Sequence, residues 1–125
     1  MAGVTLDAGP LIALQRRDRR MEAWVAEAAT RSVVPVVPAP ALAEVWRGGP
    51  RSALLARVLT FCDVDVVDEV LARRAGELLA AAGGSATVDA LVVASAARRG
   101  DLLLTADPDD MRPLAVAAGV RLAVL

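Results

Sequence analysis

Short apolar runs alternate along this chain with longer stretches in which apolar and charged residues recur at helical spacing. The runs at residues 3–7, 33–37, 63–67, 101–105 and 121–125 predict strands, being rich in valine and leucine and bounded by turn-forming residues. The first, second and fourth are largely apolar along their length, the pattern of strands covered on both faces. Pro35 predicts that the second is short or irregular, because proline cannot donate to a ladder.

The stretches between them predict helices. Pro10 suits the first turn of a helix through Leu11, Ile12 and Leu14. Residues 20–30 place Trp24, Val25 and Ala28 on one face. Pro40 starts a short helix through Leu42 and Trp46, stopped by Gly48-Gly49-Pro50. Residues 52–60 and 69–82 are amphipathic. After the loop Gly83-Gly84-Ser85, either Ser85 or Thr87 caps a helix that ends at Gly100. Asp107-Pro108 opens a last short helix. This alternation predicts an α/β fold, a parallel sheet with helices packed on it. With 125 residues and no repeat or linker, the chain reads as one domain over residues 1–125.

Composition narrows the chemistry. No uninterrupted apolar stretch reaches the length of a membrane span, and the first residues lack the basic region and apolar core of a secretory signal. The expectation is a soluble, cytoplasmic protein without membrane attachment. One cysteine excludes an intramolecular disulfide and a thiolate cluster, and Cys62 beside Phe61 reads as a small buried hydrophobe. The absence of histidine removes Ser-His-Asp and Cys-His mechanisms and the histidine general base. All cations are arginine, so a Walker lysine and Schiff-base chemistry are excluded, while bidentate phosphate contacts remain open. A net charge of −1 and a pI near 5.4 give no bulk nucleic-acid footprint, so any affinity for nucleic acid must come from local arginines.

Four acids stand where an apolar run ends or a helix begins: Asp7, Glu44, Asp89 and Asp107. In an open α/β sheet the crevice beyond the carboxyl ends of the strands is where ligands bind. Carboxylates gathered there are hard oxygen ligands for Mg²⁺ or Mn²⁺, and such ions serve phosphodiester hydrolysis. Each acid also has a plainer role. Asp7 suits a turn or N-cap, and Glu44 an i,i+3 pair with Arg47. Asp89 suits a first-turn position, and Asp107 an N-cap with Asp110 as capping-box partner. Thr105 and Asp110 are candidates for outer contacts. Ser95 fits packing in an alanine-rich helix better, and Asp109 reads as a solvated helix-start charge. Among the arginines, the run at Arg16, Arg17, Arg19 and Arg20, with Arg47 and Arg51 about the Gly48-Gly49 loop, are candidate phosphate contacts. Arg98-Arg99 reads as structural, at a helix C-terminus where cations suit the dipole.

Four stretches together resemble the PIN-domain family of nucleases. They are Leu6-Asp7-Ala8-Gly9-Pro10-Leu11-Ile12-Ala13-Leu14, Ala43-Glu44-Val45-Trp46-Arg47, Val88-Asp89-Ala90-Leu91-Val92-Val93-Ala94 and Leu104-Thr105-Ala106-Asp107-Pro108-Asp109-Asp110. They span nearly the whole chain in order. The resemblance implies a three-layer α/β/α sandwich with a parallel sheet of about five strands in the order 3-2-1-4-5. It implies a Mg²⁺- or Mn²⁺-dependent endoribonuclease leaving 5′-phosphate and 3′-hydroxyl ends, with Asp7, Glu44, Asp89 and Asp107 as the metal-binding and catalytic set. Compact members of this kind include VapC-like toxins of type II toxin–antitoxin pairs, which implies a cognate VapB-like antitoxin and a homodimer. Gly9 departs from the family, which often carries Ser or Asn just after the first acid.

Two other readings compete. One is a non-catalytic PIN-like module that binds RNA or protein. The other is a phosphotransfer domain with Asp7 as nucleophile, disfavoured because no lysine is present and no second Asp lies two residues on.

Overall fold

The computed structural model describes residues 3–125. Its strands are β1 (Val4–Leu6), β2 (Val36–Pro38), β3 (Asp63–Asp65), β4 (Leu102–Thr105) and β5 (Leu122–Val124). All pair in parallel, in the order β3-β2-β1-β4-β5. The helices are α1 (Ala8–Gln15), α2 (Arg19–Thr30), α3 (Ala39–Val45), α4 (Ala53–Leu59), α5 (Glu69–Ala82), α6 (Thr87–Arg99) and α7 (Pro108–Ala118). This is the α/β/α sandwich and strand order that the resemblance implies.

Topology follows from chirality. The chain leaves β1 toward β2 and β3, then crosses back to β4 and β5. Right-handed crossovers place α1, α2 and α4 on one face and α5, α6 and α7 on the other. The direction reverses between β1 and β4, which opens a crevice beyond their carboxyl ends. Helix α3 packs against both α1 and α6, so it bridges the two helical layers at that end of the sheet.

The core explains the patterning. Leu6, Val37, Leu103 and Leu104 are buried in the sheet. Leu11, Leu14, Met21 and Leu55 cover one face, and Leu71, Leu78, Val92 and Val93 belong to helices on the other. Six consecutive-face residues of α6, from Ala90 to Ala96, are buried with only Leu91 excepted, so this helix reads as apolar almost all round, as an interior helix must.

Several boundaries differ from the sequence expectations. The strand after Pro35 begins at Val36, as the missing amide requires. Strand β3 stops at Asp65; Val64 within it and Val66 and Val67 just beyond it are exposed beside the sheet edge, as is Val70 in the first turn of α5. A 3-10 turn, Gly49–Ser52, precedes α4. Neither Ser85 nor Thr87 caps α6: the capping position is Ala86, without a side-chain bond. The last helix runs 11 residues, past an internal Pro113. Cys62, expected to be buried, is half-buried, and its neighbour Phe61 is 75 % exposed. Among the described residues no single helix is long and apolar enough to cross a membrane.

Candidate active site

Asp7 follows β1 directly and is 7 % exposed. Its amide donates to the Leu104 carbonyl at 3.0 Å, extending the β1–β4 ladder by one residue. The Leu6–Leu104 register then sets Asp7 beside Thr105. The Thr105 hydroxyl, itself fully buried, donates to Asp7 Oδ2 at 2.9 Å and accepts the Asp107 amide at 3.0 Å. One hydroxyl therefore ties the end of β1 to the turn that carries Asp107, using both its donor and an acceptor lone pair. Asp7 occupies the N-cap of α1, yet its side chain makes no capping bond.

Gly9 explains the departure at that position. A Cβ there would meet Ala106 Cβ at 2.7 Å and its amide nitrogen at 3.3 Å. The first turn of α1 and the turn between Thr105 and Asp107 approach too closely for any side chain at residue 9.

The other acids arrive from separate elements. Glu44 rides on the bridging helix α3 and Asp89 lies in the first turn of α6. Asp107 occupies the N-cap of α7, again without a side-chain capping bond. Their fields converge. Burial, and then the charges of Asp7, Glu44, Asp110 and Asp107, push the Asp89 carboxyl up to about 6. Burial also raises Asp7, against the hydrogen bonds from the Ala8 amide and Thr105 that favour its ionised form. Asp107 is raised, first by a side-chain hydrogen bond with Asp110 and then by burial and the neighbouring charges, and it makes no capping bond. The donors are all oxygen, the chemistry that suits Mg²⁺ or Mn²⁺. Among the described residues, no group of three acidic or thiol side chains is placed to hold an ion as it stands. The Asp7 carboxylate is turned to the Thr105 hydroxyl.

The remaining candidates divide. Asp110 and Thr105 belong to the cluster. Asp109 is exposed in the first turn of α7. Arg47 makes no ion pair with Glu44 but donates to the carbonyls of Ala43 and Trp46. Arg51 is exposed on the 3-10 turn. Arg16 and Arg17 follow the far end of α1, one helix length of about 12 Å from Asp7, rather than at the mouth of the crevice. Ser95 lies deep in the core and donates to Asp65 at 2.6 Å.

That last bond opens a second polar cluster, which sequence reasoning missed. Arg99 donates to Asp65, Asp101, Thr5 and Ser95, and Arg98 to Asp65 and Asp68. Burial alone would raise Asp65, but hydrogen bonds from Arg98, Ser95 and Arg99 carry it below the usual range. Most of these partners lie 30 to 94 residues apart in sequence, although Arg99 also bonds Asp101 and Ser95, 2 and 4 residues away, and no local motif announces them. Their effect is to fix the C-terminal end of α6, whose other end carries Asp89.

Known folds agree with this architecture. The chain is similar to the VapBC2 complex of Rickettsia felis bound to promoter DNA (TM-score 0.79, 15 % identity, 98 % of each chain covered). It is also similar to DNA-bound VapBC of Salmonella typhimurium (0.73, 18 %, 99 % and 98 %) and to FitAcB of Neisseria gonorrhoeae (0.67, 19 %, 95 % of each). No curated protein sequence matches. The family model for the PIN domain matches residues 4–116, and with nearly the whole chain covered, this protein belongs to the PIN-domain family.

Proposed function

We propose that this protein is a divalent-metal-dependent endoribonuclease and the toxin of a toxin–antitoxin pair. The observation that carries the reading is the convergence of Asp7, Glu44, Asp107 and Asp110 on Asp89, whose carboxyl is pushed up to about 6 by burial first and then by these charges. Acids brought from four elements to one crevice, with no cation among them, are a site built for a cation. Asp7, Asp89 and Asp107, with Glu44, would hold Mg²⁺ or Mn²⁺. When bound, the ion supplies Lewis acidity at a phosphodiester and a nucleophile at neutral pH. The chain's own residues do the rest. Thr105 fixes the Asp7 carboxylate and the Asp107 backbone. Helix α3 holds Glu44 across from both. Arg47 and Arg51 offset the acidic field for an incoming phosphate backbone.

The toxin reading is supported by likeness to VapBC and FitAB assemblies. Two apolar surfaces fit the partners it requires. A groove of about 740 Å³ between α2 and α4, lined by Val25, Val34, Val58 and Phe61, suits an apolar antitoxin segment. The exposed valines along the β3 edge suit a second copy of the chain.

The deciding experiment is RNA cleavage by purified protein in Mn²⁺, Mg²⁺ or EDTA, beside Asp7→Asn. Metal-dependent cleavage lost in a folded Asp7→Asn protein is the expected result. Full activity in that variant sinks the assignment. The runner-up, a non-catalytic binding module, draws on the open arrangement of the acids. It is favoured if titration calorimetry detects no metal binding to the wild type.

A further inference from the structure

Glu44 has no tie of its own within the acid cluster. Asp7 is held by Thr105, and Asp89 lies on a helix buried almost all round. Glu44 is exposed and makes no hydrogen bond or ion pair among the described residues. Its charge still reaches Asp89, so its place is set by the backbone of α3. That helix is a weak foundation. It has seven residues, its N-cap Pro38 makes no side-chain bond, and its buried side chains are Ala41 and Val45. A helix this short does not persist alone.

Its C-terminal end is fixed from outside. The chain leaves α3 at Trp46, with ψ 130, and turns through Gly48 at φ +77. Ser52, 1 % exposed at the end of the 3-10 turn, accepts the amides of Arg47 and Gly48, each at 3.0 Å. Both lone pairs of one hydroxyl oxygen are thus used on the exit from α3, beginning three residues after Glu44. Ser52 is itself well held. It leads into α4, where Leu55 is fully buried, and the Arg51 carbonyl beside it accepts the Gln15 side chain from the end of α1 at 3.4 Å. The Arg47 side chain also bonds the Ala43 and Trp46 carbonyls, but those bonds stay within the same segment and tie it to nothing else.

We propose that Ser52 is a positioning residue for the acidic site: its hydroxyl holds the last turn of α3 so that Glu44 stays with Asp7, Asp89 and Asp107. Without that bond the turn yields to the repulsion of the other carboxylates and carries Glu44 away from them. This rests on the nuclease reading and adds to its site a buried residue outside the acid cluster.

The test is a double-mutant cycle between Ser52 and Glu44, read first without metal. Wild type, Ser52→Ala, Glu44→Gln and the double variant are melted in EDTA at pH 8. Glu44→Gln relieves repulsion, so it should raise the wild-type Tm by about 2–4 °C. In the Ser52→Ala background the gain should be less than half of that, because Glu44 has already moved off. Calorimetry with Mn²⁺ alone should then show about tenfold weaker binding to Ser52→Ala. Ser52→Cys fills the same space with a poorer acceptor; it should lie between the two and carries the test where Ser52→Ala is poorly folded. An equal gain from Glu44→Gln in both backgrounds overturns the proposal, since the serine would then only stabilise the fold. So does wild-type Mn²⁺ affinity in folded Ser52→Ala. A smaller gain in Ser52→Ala with no Mn²⁺ bound by any variant, wild type included, supports the placement of Glu44 and counts against the nuclease reading alone.

Discussion

Replacing Asp89 with Asn should make the metal-free protein more stable. In the native state its carboxyl is raised from 3.8 to about 6, so ionising it above that pH opposes folding. At about 1.4 kcal/mol per pKa unit, the shift corresponds to roughly 2–3 kcal/mol, allowing for partial solvation of this half-buried group. The sign follows from proton linkage. Between the unfolded and folded pKa the native state binds more protons than the unfolded chain, so stability falls as pH rises from about 4 to 6 and stays low above it. Asn removes the charge, and no hydrogen bond of the Asp89 side chain is present among the described residues to be lost. For a chain of this length the gain is worth roughly 6–12 °C in Tm. The assay is thermal unfolding in EDTA from pH 4.5 to 8, wild type beside Asp89→Asn. The two curves should lie within about 1 kcal/mol of each other near pH 4.5 and separate fully by pH 7. Saturating Mn²⁺ should then raise the wild type well above its own metal-free value and raise the variant much less. Coincident curves at pH 7.5, or a less stable variant, would refute the electrostatic account of the site.

Three further outcomes follow from local geometry. Gly9→Ala forces its methyl onto Ala106, and overpacking of this kind costs about 1–3 kcal/mol; chemical denaturation should show it, with cleavage reduced because the Asp107 turn is displaced. Arg17 adopts φ +56 at the end of α1, where Asp18 donates back to Ala13 and glycine is the usual occupant; Arg17→Gly should stabilise the protein by roughly 0.5–1 kcal/mol, read as a shift of the urea midpoint, and an unchanged or lower midpoint refutes it. Thr105→Val keeps the shape but removes the hydroxyl that serves Asp7 and the Asp107 amide; cleavage should fall at least tenfold and return in Thr105→Ser, whereas wild-type activity in the valine variant would show that the link is dispensable.

How much of this was legible in the sequence depended on the range of the interaction. Strand β1 and Asp7 could be read because a charge directly after Val4-Thr5-Leu6 is costly to bury without a purpose. The short form of β2 could be read from Pro35. The early end of β3 could not, since residues 63–67 alternate well enough for a longer strand, and only its edge position leaves the last valines unpaired. Arg16 and Arg17 show the same effect of range. Proximity to Asp7 in sequence became distance in space once α1 ran the intervening residues away from the crevice. Gly9 looked like a missing polar group until the approach of Ala106 showed that no side chain fits. The Asp65–Arg99–Asp101 cluster was invisible because its members come from β3, α6 and the entry to β4, and each looks alone like a surface charge.

That hidden cluster sharpens the meaning of the visible one. Asp101 is 7 % exposed, the same as Asp7. Asp101 accepts hydrogen bonds from Thr5 and Arg99, and its neighbour Asp65 is held by two arginines. This chain therefore compensates buried acids with cations where stability is the only requirement, as the cost of an unpaired buried charge demands. At the other end of α6 the same fold buries Asp7 and sets Glu44, Asp89, Asp107 and Asp110 within its field, and among the described residues none of them is paired with an arginine. Strand register, a bridging helix and one threonine hold these acids together against their repulsion. A protein able to neutralise Asp101 could have neutralised Asp89. On the proposed reading the acidic crevice is left open to a cation from solution, at a cost to the metal-free state that the Asp89→Asn melting curves would measure.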